Sequence, residues 1–242
     1  MNAFSALSNC YDRLHEEDLF AWEEVYLGLL PEQGQGVDFG CGTGRLTRKL
    51  AAPGRPILGV EASPDMLNAC RPSQWARFVQ GDMTTFRPPH AADFVTVIND
   101  GLNYLPPAHL PAALRHFARC LKKGGLFAAD LSTPKKLKAT LGNNQFFRDE
   151  GDLVLLWQNR LEADSVVLEL TLFEREGDLY RRREECQRQY WHAREALADA
   201  LTAAGLTGEI RPFPGQEEDR WLIVAKKARP GAGGTGVPEG TP

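Results

Sequence analysis

Short apolar runs alternate with amphipathic segments between residues 36 and 130. The pattern predicts strands at Gly36–Phe39, Ile57–Val60, Ala76–Gln80, Phe94–Ile98 and Gly125–Asp130. It predicts intervening helices at Gly44–Leu50, Pro64–Ala69 and Ala108–Leu121. The last helix is expected to end at KKGG, where basic residues suit the helix C-terminus and glycine supplies a left-handed cap. Strands that alternate with helices build a mostly parallel sheet, so we expect an α/β, doubly wound core.

The period of the pattern changes after residue 150. The stretch from Leu153 to Tyr190 contains three extended segments, separated by the turn sequences EADS and EGD. In the middle segment one face carries Val167, Glu169, Thr171 and Phe173, and the other carries Val166, Leu168, Leu170 and Leu172. We expect one of these faces to pack and the other to meet solvent or a ligand. The segment is predicted to be an antiparallel meander. Helical spacing returns at REALADALTAAGL, and RWLIVAKK is predicted to be a final strand.

These patterns divide the 242 residues, of which 43% are hydrophobic and 25% charged, into four parts. A helical cap over residues 1–35 carries aromatic side chains that could cover a cleft. The core comprises residues 36–134 and 191–227, and a β-rich insertion spans 135–190. Residues 228–242 are rich in glycine, proline and threonine without apolar periodicity, so this tail is expected to be disordered.

Charge and composition exclude some classes of function. The net charge of -4 gives no overall attraction to phosphate, so a nucleic-acid partner would need a local basic patch. No run approaches the roughly 20 apolar residues that span a bilayer, and no secretory signal begins the chain, so we expect a cytoplasmic protein without a membrane partner. The five cysteines lack a C-x-x-C pair and are predicted to be reduced and mostly buried. No metal-ligand spacing occurs, so surface or capping positions are predicted for His15, His90, His109, His116 and His192.

A glycine-rich stretch, DFGCGTG, joins the first strand to the first core helix. Glycine at positions 40, 42 and 44 allows the backbone to turn sharply and to approach a ligand closely. A dinucleotide-binding loop would have the spacing G-x-G-x-x-G, but the position five after Gly40 is Arg45. The spacing G-x-G-x-G favours a cofactor that places no phosphate against the loop.

Acidic residues follow the next two strands. Glu61 ends the second strand in LGVEAS, where a carboxylate can accept hydrogen bonds from a ribose diol. After the third strand, Asp82 can accept from an exocyclic amine, and Met83 offers a backbone N–H and a soft surface for a purine. Taken singly, Glu61 could be a solvated strand-end acid and Asp82 part of an ordinary turn. Together with the glycine loop they predict a site for an adenosyl group.

This order of Asp38 with GCGTG, Glu61, Asp82 and INDGLNYL resembles the class I S-adenosylmethionine-dependent methyltransferases. The resemblance covers roughly residues 10 to 227 and is strongest to the YqeM-like, bacterial small-molecule-type members, and more distant to the amino-sugar N-methyltransferases. It implies a seven-stranded, mostly parallel Rossmann-like sheet whose last strand, here RWLIVAKK, is antiparallel. It also implies S-adenosyl-L-methionine as cofactor and a small antiparallel β insertion that covers the substrate.

The resemblance assigns roles to the loop and to the strand ends. Gly40, Gly42 and Gly44 would wall the methionine and ribose part of the cofactor. Asp38 would orient the loop and the cofactor's amino group, and Glu61 would bind the ribose hydroxyls.

Four further positions complete the implied cofactor site. Asp82 and Met83 would hold the adenine. The backbone carbonyl of Asn99 would receive the methionyl ammonium group, and Tyr11 would close over the cofactor.

Candidate catalytic residues follow the fourth strand, where this superfamily places the methyl acceptor. Asp100 and Tyr104 could position or deprotonate a nucleophile. Alternatively, Asp100 caps the following turn and Tyr104 packs in the cleft. Methyl transfer from a sulfonium depends more on alignment than on acid-base help, so we expect transfer to N or O of a small metabolite.

Two other classes of function stay open. An RNA methyltransferase would use Arg181–Arg183, Lys135, Lys136 and Lys138 as a phosphate track. A non-catalytic protein would bind the cofactor without turnover. The RRR run itself is either a clamp for an anionic substrate or, as we prefer, a solvated strand edge that discourages aggregation.

Overall fold

A computed structural model describes residues 4–15 and 19–228 of the chain. Its strands, in chain order, are β1 Gly36–Phe39, β2 Ile57–Glu61, β3 Ala76–Gln80, β4 Ala92–Val97, β5 Leu121–Ser132, β6 Gln145–Asp149, β7 Leu153–Leu161, β8 Ser165–Glu176, β9 Leu179–Tyr190, β10 Leu206–Pro212 and β11 Arg220–Lys227. All but the first residue of the tail predicted to be disordered lies outside the described residues.

Helices connect most of the core strands. They are α1 Tyr11–Leu14, α2 Leu19–Leu29, α3 Arg45–Leu50, α4 Pro64–Ala69, α5 Leu110–Cys120 and α6 Arg194–Ala203, together with a 3-10 helix at Gly101–Tyr104 and a π-helix at Lys136–Leu141. The start of α4 follows from its sequence, because the Ser63 hydroxyl accepts from the Met66 N–H and proline occupies the first turn. Within the described ranges, no helix combines the length and the apolar character needed to cross a membrane.

Seven strands form one sheet in the order β10-β11-β5-β4-β1-β2-β3. Strand β11 runs antiparallel to both β5 and β10, and the pairs from β5 across to β3 are parallel. One face of the sheet packs against α5 and α6 around Phe117 and Leu197, and the other packs against α2 around Trp22 and Tyr26. The predicted doubly wound sheet with an antiparallel RWLIVAKK strand is confirmed.

The inserted sheet has four antiparallel strands in the order β6-β7-β8-β9, and the prediction of three was incomplete. Strand β6 was missed because its sequence, QFFRD, is exposed at every position and shows no burial alternation. Strand β10, LTGEIRP, was missed because only Leu206 and Ile210 within it are buried. On β8, Val166, Leu168, Leu170 and Leu172 are all buried, so of the two faces recognised in the sequence theirs is the one that packs.

Two local predictions were wrong. Helix α5 ends at Cys120, and KKGG lies inside β5 rather than capping the helix. The prediction of surface or capping histidines fails for His116 and His192, which are buried. Each is tolerated there because a ring nitrogen meets a backbone carbonyl, that of Phe86 at 2.8 Å and that of Leu102 at 3.0 Å.

Candidate functional site

A cavity of about 560 Å³ opens at the carboxyl ends of β1, β2 and β4, where open α/β sheets bind their ligands. Its volume lies within the range of roughly 300 to 1,000 Å³ that is typical of small-molecule sites. The glycine loop, the strand ends and the N-terminal segment around α1 all contribute walls. Among the residues predicted for the site, the lining includes Tyr11, Asp38, Gly40, Gly42, Glu61, Met83, Asn99 and Tyr104.

The glycines of the loop serve two different purposes. All three have positive φ, of 71° at Gly40, 57° at Gly42 and 71° at Gly44. A Cβ atom on Gly42 would meet nothing within 4 Å, so this position leaves room beside the cavity. A Cβ on Gly44 would lie 2.3 Å from the Phe78 ring. Gly44 therefore does not line the cavity, and its role is to let the loop and the start of α3 pack close to β3.

Glu61 joins the glycine loop to the end of β2. Its side chain is buried, Oε2 accepts from the Gly42 N–H at 2.9 Å, and Oε1 accepts from the Ser63 N–H at 2.8 Å. Because each carboxylate oxygen has further acceptor capacity, Glu61 can still receive two hydroxyl donors from the cavity. A ligand that offers two neighbouring hydroxyl donors, such as the cis-diol of a ribose, fits this carboxylate.

Asp38 lies beneath the loop and ties three core elements together. Its carboxylate accepts from the Thr47 hydroxyl of α3 at 2.5 Å and from the Thr96 hydroxyl of β4 at 2.8 Å. Burial raises the pKa of Asp38 to about 6, although both hydroxyl contacts act in the opposite direction. A carboxylate held this way fixes the position of the loop above it.

Asn99 lines the cavity and has a strained backbone conformation. Its φ is 56° and that of Asp100 is 66°, so two successive non-glycine residues are left-handed. The Asn99 N–H donates to Asp130 Oδ1 at 2.9 Å, and its Nδ2 donates to the Tyr11 hydroxyl at 3.1 Å. The turn after β4 is thereby fixed, and Tyr11 is held in the cavity wall. Burial raises the pKa of Tyr11 well above its usual range.

Asp82 does not join the other predicted residues in the lining. It is exposed, and its Oδ1 accepts from the Thr84 N–H at 2.7 Å and from the Thr84 hydroxyl. The carboxylate therefore stabilises its own turn. At this strand end, Met83, Gln80 and Gly81 reach the cavity instead.

Asp100 also faces away from the cavity, toward a buried ion cluster that was not predicted. Arg220 contacts Asp100 at 2.8 and 3.1 Å and pairs with Asp130 as well. The Ser132 N–H donates to Asp100 at 2.8 Å. Burial raises the pKa of Asp100, but the charges of Arg220 and Lys136, together with the hydrogen bonds from Arg220 and Ser132, outweigh burial and keep the pKa below its usual value. An acid committed in this way fixes the strained turn and is not a base for a ligand.

The cluster extends to the cap. The Tyr26 hydroxyl donates to Asp130 at 2.7 Å, and the Arg220 guanidinium lies 4.8 Å from the centre of the Trp22 ring. The sequence carried one signal for this cluster, namely a single acid, Asp130, at the end of the apolar run LFAAD.

Tyr104 lines the cavity beside the cap. Its ring lies 5.2 Å from the Phe4 ring, edge to face. Its hydroxyl donates to Gln187 Oε1 at 2.9 Å and accepts from Gln189 Nε2 at 3.1 Å. Burial raises the pKa of Tyr104 well above its usual range, so the hydroxyl stays protonated.

The N-terminal segment lines the cavity and is bonded to the glycine loop. The Thr43 hydroxyl donates to Asp12 Oδ1 at 2.6 Å, and Arg45 Nη1 donates to the Asp12 carbonyl at 2.9 Å. Phe4, Asp12 and His15 line the cavity alongside Tyr11. Arg45, the residue that broke the dinucleotide pattern, thus holds this segment over the loop.

The three arginines near the start of β9 are paired with acids. Arg181 contacts Glu176 at 2.5 Å and Arg183 contacts Glu174 at 2.7 Å, while Arg182 pairs with Glu184. Strand β9 is an edge of the inserted sheet. This arrangement favours the interpretation of RRR as a solvated strand edge.

Comparison with known proteins agrees with the fold and the strand-end cavity. Residues 37–125 match the model of a methyltransferase domain. A curated protein of Bacillus subtilis (strain 168), YqeM, is 26% identical over 93% of this chain and 98% of its own length.

Two solved structures share the fold. An S-adenosylmethionine-dependent methyltransferase from Clostridium acetobutylicum ATCC 824 aligns with a TM-score of 0.79 at 24% identity, over 94% of this chain and 100% of that one. The sugar N-methyltransferase KedS8 from Streptoalloteichus sp ATCC 53650 aligns with a TM-score of 0.76 at 24% identity, over 91% and 92% of the two chains.

The methyltransferase domain matched over residues 37–125 and the Rossmann-like sheet support a class I methyltransferase, in agreement with the resemblance found in the sequence. Within that class, the chain is similar to YqeM over nearly its whole length.

Proposed function

We propose that this protein transfers a methyl group from S-adenosyl-L-methionine to a nitrogen or oxygen atom of a small metabolite. The contact between the Gly42 N–H and Glu61, 2.9 Å long at the edge of the cavity, carries this proposal. It brings a side-chain-free loop and a buried diol acceptor to the same place. Two hydroxyl donors and a flat apolar ring satisfy this combination.

The residues of the cavity fit the cofactor from one end to the other. Met83 offers an apolar surface for the adenine, Glu61 accepts from the ribose hydroxyls, and Gly40 and Gly42 allow close approach of the chain beyond. The carbonyl of Asn99 is the acceptor for the ammonium group. When bound, the cofactor supplies an electrophilic methyl group on a sulfonium centre.

The chain's own contribution is alignment and exclusion of water. Asp100 is paired with Arg220, and Tyr104 keeps its proton, so neither provides a general base. Instead, the rings of Phe4, Tyr11 and Tyr104 form an apolar wall that holds the acceptor and limits its hydration. Orientation and desolvation of this kind supply much of the rate in a simple displacement.

A small acceptor is favoured over RNA for two reasons. The N-terminal segment narrows the approach to the cavity, and the Arg181–Arg183 side chains are matched by glutamates. A sugar N-methyltransferase is among the structures that share the fold.

The test is to incubate the protein with methyl-labelled S-adenosylmethionine and a fractionated cell extract. We expect label in the low-molecular-weight fraction and none in RNA or protein. Cofactor binding without any labelled product would instead indicate a non-catalytic binding protein, and label in RNA would support the alternative class of acceptor.

A further inference from the structure

A row of polar side chains lies on the inward face of β9. Glu185, Gln187 and Gln189 are all buried, directly opposite the buried apolar residues Leu170, Leu168 and Val166 of β8. Buried polar groups cost free energy unless they are paired, and a leucine would pack at such positions. The row therefore needs a reason beyond the packing of the inserted sheet.

These side chains and Tyr104 form one continuous chain of hydrogen bonds. Gln187 Nε2 donates to Glu185 Oε1, and the Tyr104 hydroxyl donates to Gln187 Oε1 at 2.9 Å. Gln189 Nε2 in turn donates to the Tyr104 oxygen at 3.1 Å. The chain thus runs from the inserted sheet to a residue of the cavity wall.

Glu185 sets the direction of every bond in this chain. Its Oε2 accepts from the N–H groups of Ala6 at 2.9 Å and Leu7 at 3.2 Å, so both oxygens face donors, as suits an acceptor-only carboxylate. Gln187 must then present its amino group to Glu185 and its carbonyl to Tyr104. Consequently the Tyr104 proton is committed to Gln187.

The Tyr104 oxygen is left with a single role toward any further partner. Its proton is used, and one lone pair accepts from Gln189, so it can only accept one more hydrogen bond. The same Glu185 carboxylate anchors the backbone next to Phe4, whose ring packs on Tyr104. The Glu185 carboxylate therefore fixes both the position of the cavity wall at Phe4 and the direction of the hydrogen bond at the Tyr104 hydroxyl.

Resting on the proposed function, we propose that Glu185 is a positioning residue that makes the Tyr104 oxygen a hydrogen-bond acceptor for the substrate, so that the site takes a neutral N–H or O–H nucleophile. The nucleophile donates its hydrogen to Tyr104 and keeps a lone pair for the methyl carbon. The new N–CH3 or O–CH3 bond forms from that lone pair as the S–CH3 bond breaks, the bonding pair stays on sulfur, and the nucleophile's proton leaves to water. A thioether or a tertiary amine offers no hydrogen to Tyr104 and is excluded.

Glu185→Gln tests the positioning role, with Glu184→Gln as the matched control. Glu184 is the exposed neighbour on β9 and pairs with Arg182. The glutamine amide can also donate, so Gln187 can reverse and the Tyr104 proton loses its fixed direction. We expect the initial rate of label transfer into the small-molecule fraction to fall about tenfold for Glu185→Gln, with unchanged affinity for S-adenosylmethionine. The control should keep the rate of the wild-type protein.

Two further readouts separate polarity from loss of fold. Tyr104→Phe should slow transfer to a similar extent, and the double variant with Glu185→Gln should be no slower than either single variant, because the two residues act as one unit. Hydrogen exchange at the Ala6 and Leu7 amides should speed up in Glu185→Gln and stay unchanged in Glu184→Gln. Equal rates for Glu185→Gln and its control, or additive losses in the double variant, would overturn the role of Glu185.

The class of nucleophile is read directly with a 13C-methyl cofactor and NMR of the product. We expect the labelled carbon on a nitrogen or oxygen atom that carried a hydrogen in the acceptor, whereas a labelled quaternary ammonium or sulfonium product would overturn this inference and leave methyl transfer to a small metabolite intact. If the wild-type protein binds the cofactor and labels nothing in the extract, the proposed function fails, and this inference with it.

Discussion

The N–H of Gly42 donates to Glu61 Oε2 at 2.9 Å, which links the turn after β1 to the end of β2. Glycine is needed at position 42 because its φ is positive, and a side chain there would project into unoccupied space beside the cavity. Glu61 is needed because its buried carboxylate holds this loop, and under the proposed function the same carboxylate accepts from the cofactor. Because the glycine loop and Glu61 are bonded to each other, we expect a substitution in either one to lower the affinity for the cofactor.

Alanine substitutions at Gly42 and Gly44 should have different effects on stability and on cofactor binding. Gly42→Ala has open space for its Cβ, so it should cost about 1 kcal/mol of stability from the left-handed backbone and should weaken cofactor binding. Gly44→Ala adds a contact of 2.3 Å with the Phe78 ring and should be clearly less stable in urea unfolding. Phe78→Leu should recover part of that loss in the Gly44→Ala background. Equal unfolding free energies for the two alanine variants would contradict the separate roles.

Asp38 should make the stability of the fold depend on pH. Its pKa is raised from 3.8 to about 6. Between these two pH values Asp38 is therefore mostly protonated in the folded state and mostly ionised in the unfolded state. The unfolding free energy should therefore gain about 1 kcal/mol from this group as the pH falls from 7 to 5. Asp38→Asn cannot titrate, and the difference between the two proteins in urea at both pH values measures the effect. A difference independent of pH would contradict the raised pKa.

Arg220→Leu should be strongly destabilising at neutral pH. It leaves Asp100 and Asp130 buried without their cation, at a cost of about 3 to 5 kcal/mol. In the wild-type protein the pKa of Asp100 lies below the ordinary 3.8, so its contribution to stability is present above that pH and is lost as the pH falls through the lowered value. In the variant the buried Asp100 no longer faces Arg220 and can take up a proton, so the loss of unfolding free energy should be smaller at pH 5 than at pH 7.

A matched control for Arg220→Leu is Arg211→Leu. Arg211 is exposed on β10 and forms a surface pair with Glu209 at 3.3 Å. We expect this variant to change the unfolding free energy by less than about 1 kcal/mol at either pH. Similar losses of unfolding free energy in the two variants would show that the buried ion cluster contributes no more to stability than a surface ion pair.

The sequence was sufficient where the signal is local. Alternating strands and helices, the G-x-G-x-G spacing, and an acid at the end of the second strand all lie within short windows, and the structure brings Gly40, Gly42 and Glu61 to one cavity. Backbone conformation and strand direction decide these features, and both follow from neighbouring residues.

Prediction was weaker where the partner of a residue is distant in the chain. Asp100 follows a cleft-forming strand, but its partner Arg220 lies 120 positions away in the sequence. The residues near Asp100 therefore give no indication that its carboxylate is paired. Gly44 looked like a ligand wall, and only the approach of Phe78 from β3 explains why it must be glycine. The polar row on β9 escaped notice because its partner, Tyr104, lies more than eighty positions earlier.

Calorimetric titration tests directly whether Glu61 binds S-adenosylmethionine. The cofactor is titrated into the wild-type protein, into Glu61→Ala and into a control variant, Glu195→Ala. Glu195 lies at an exposed position on α6. We expect one cofactor per chain in the wild-type protein. In Glu61→Ala the affinity should fall tenfold or more because charge-assisted hydrogen bonds are lost, and in the control the affinity should not change. Equal affinity in the wild-type protein and in a folded Glu61→Ala variant would contradict this expectation.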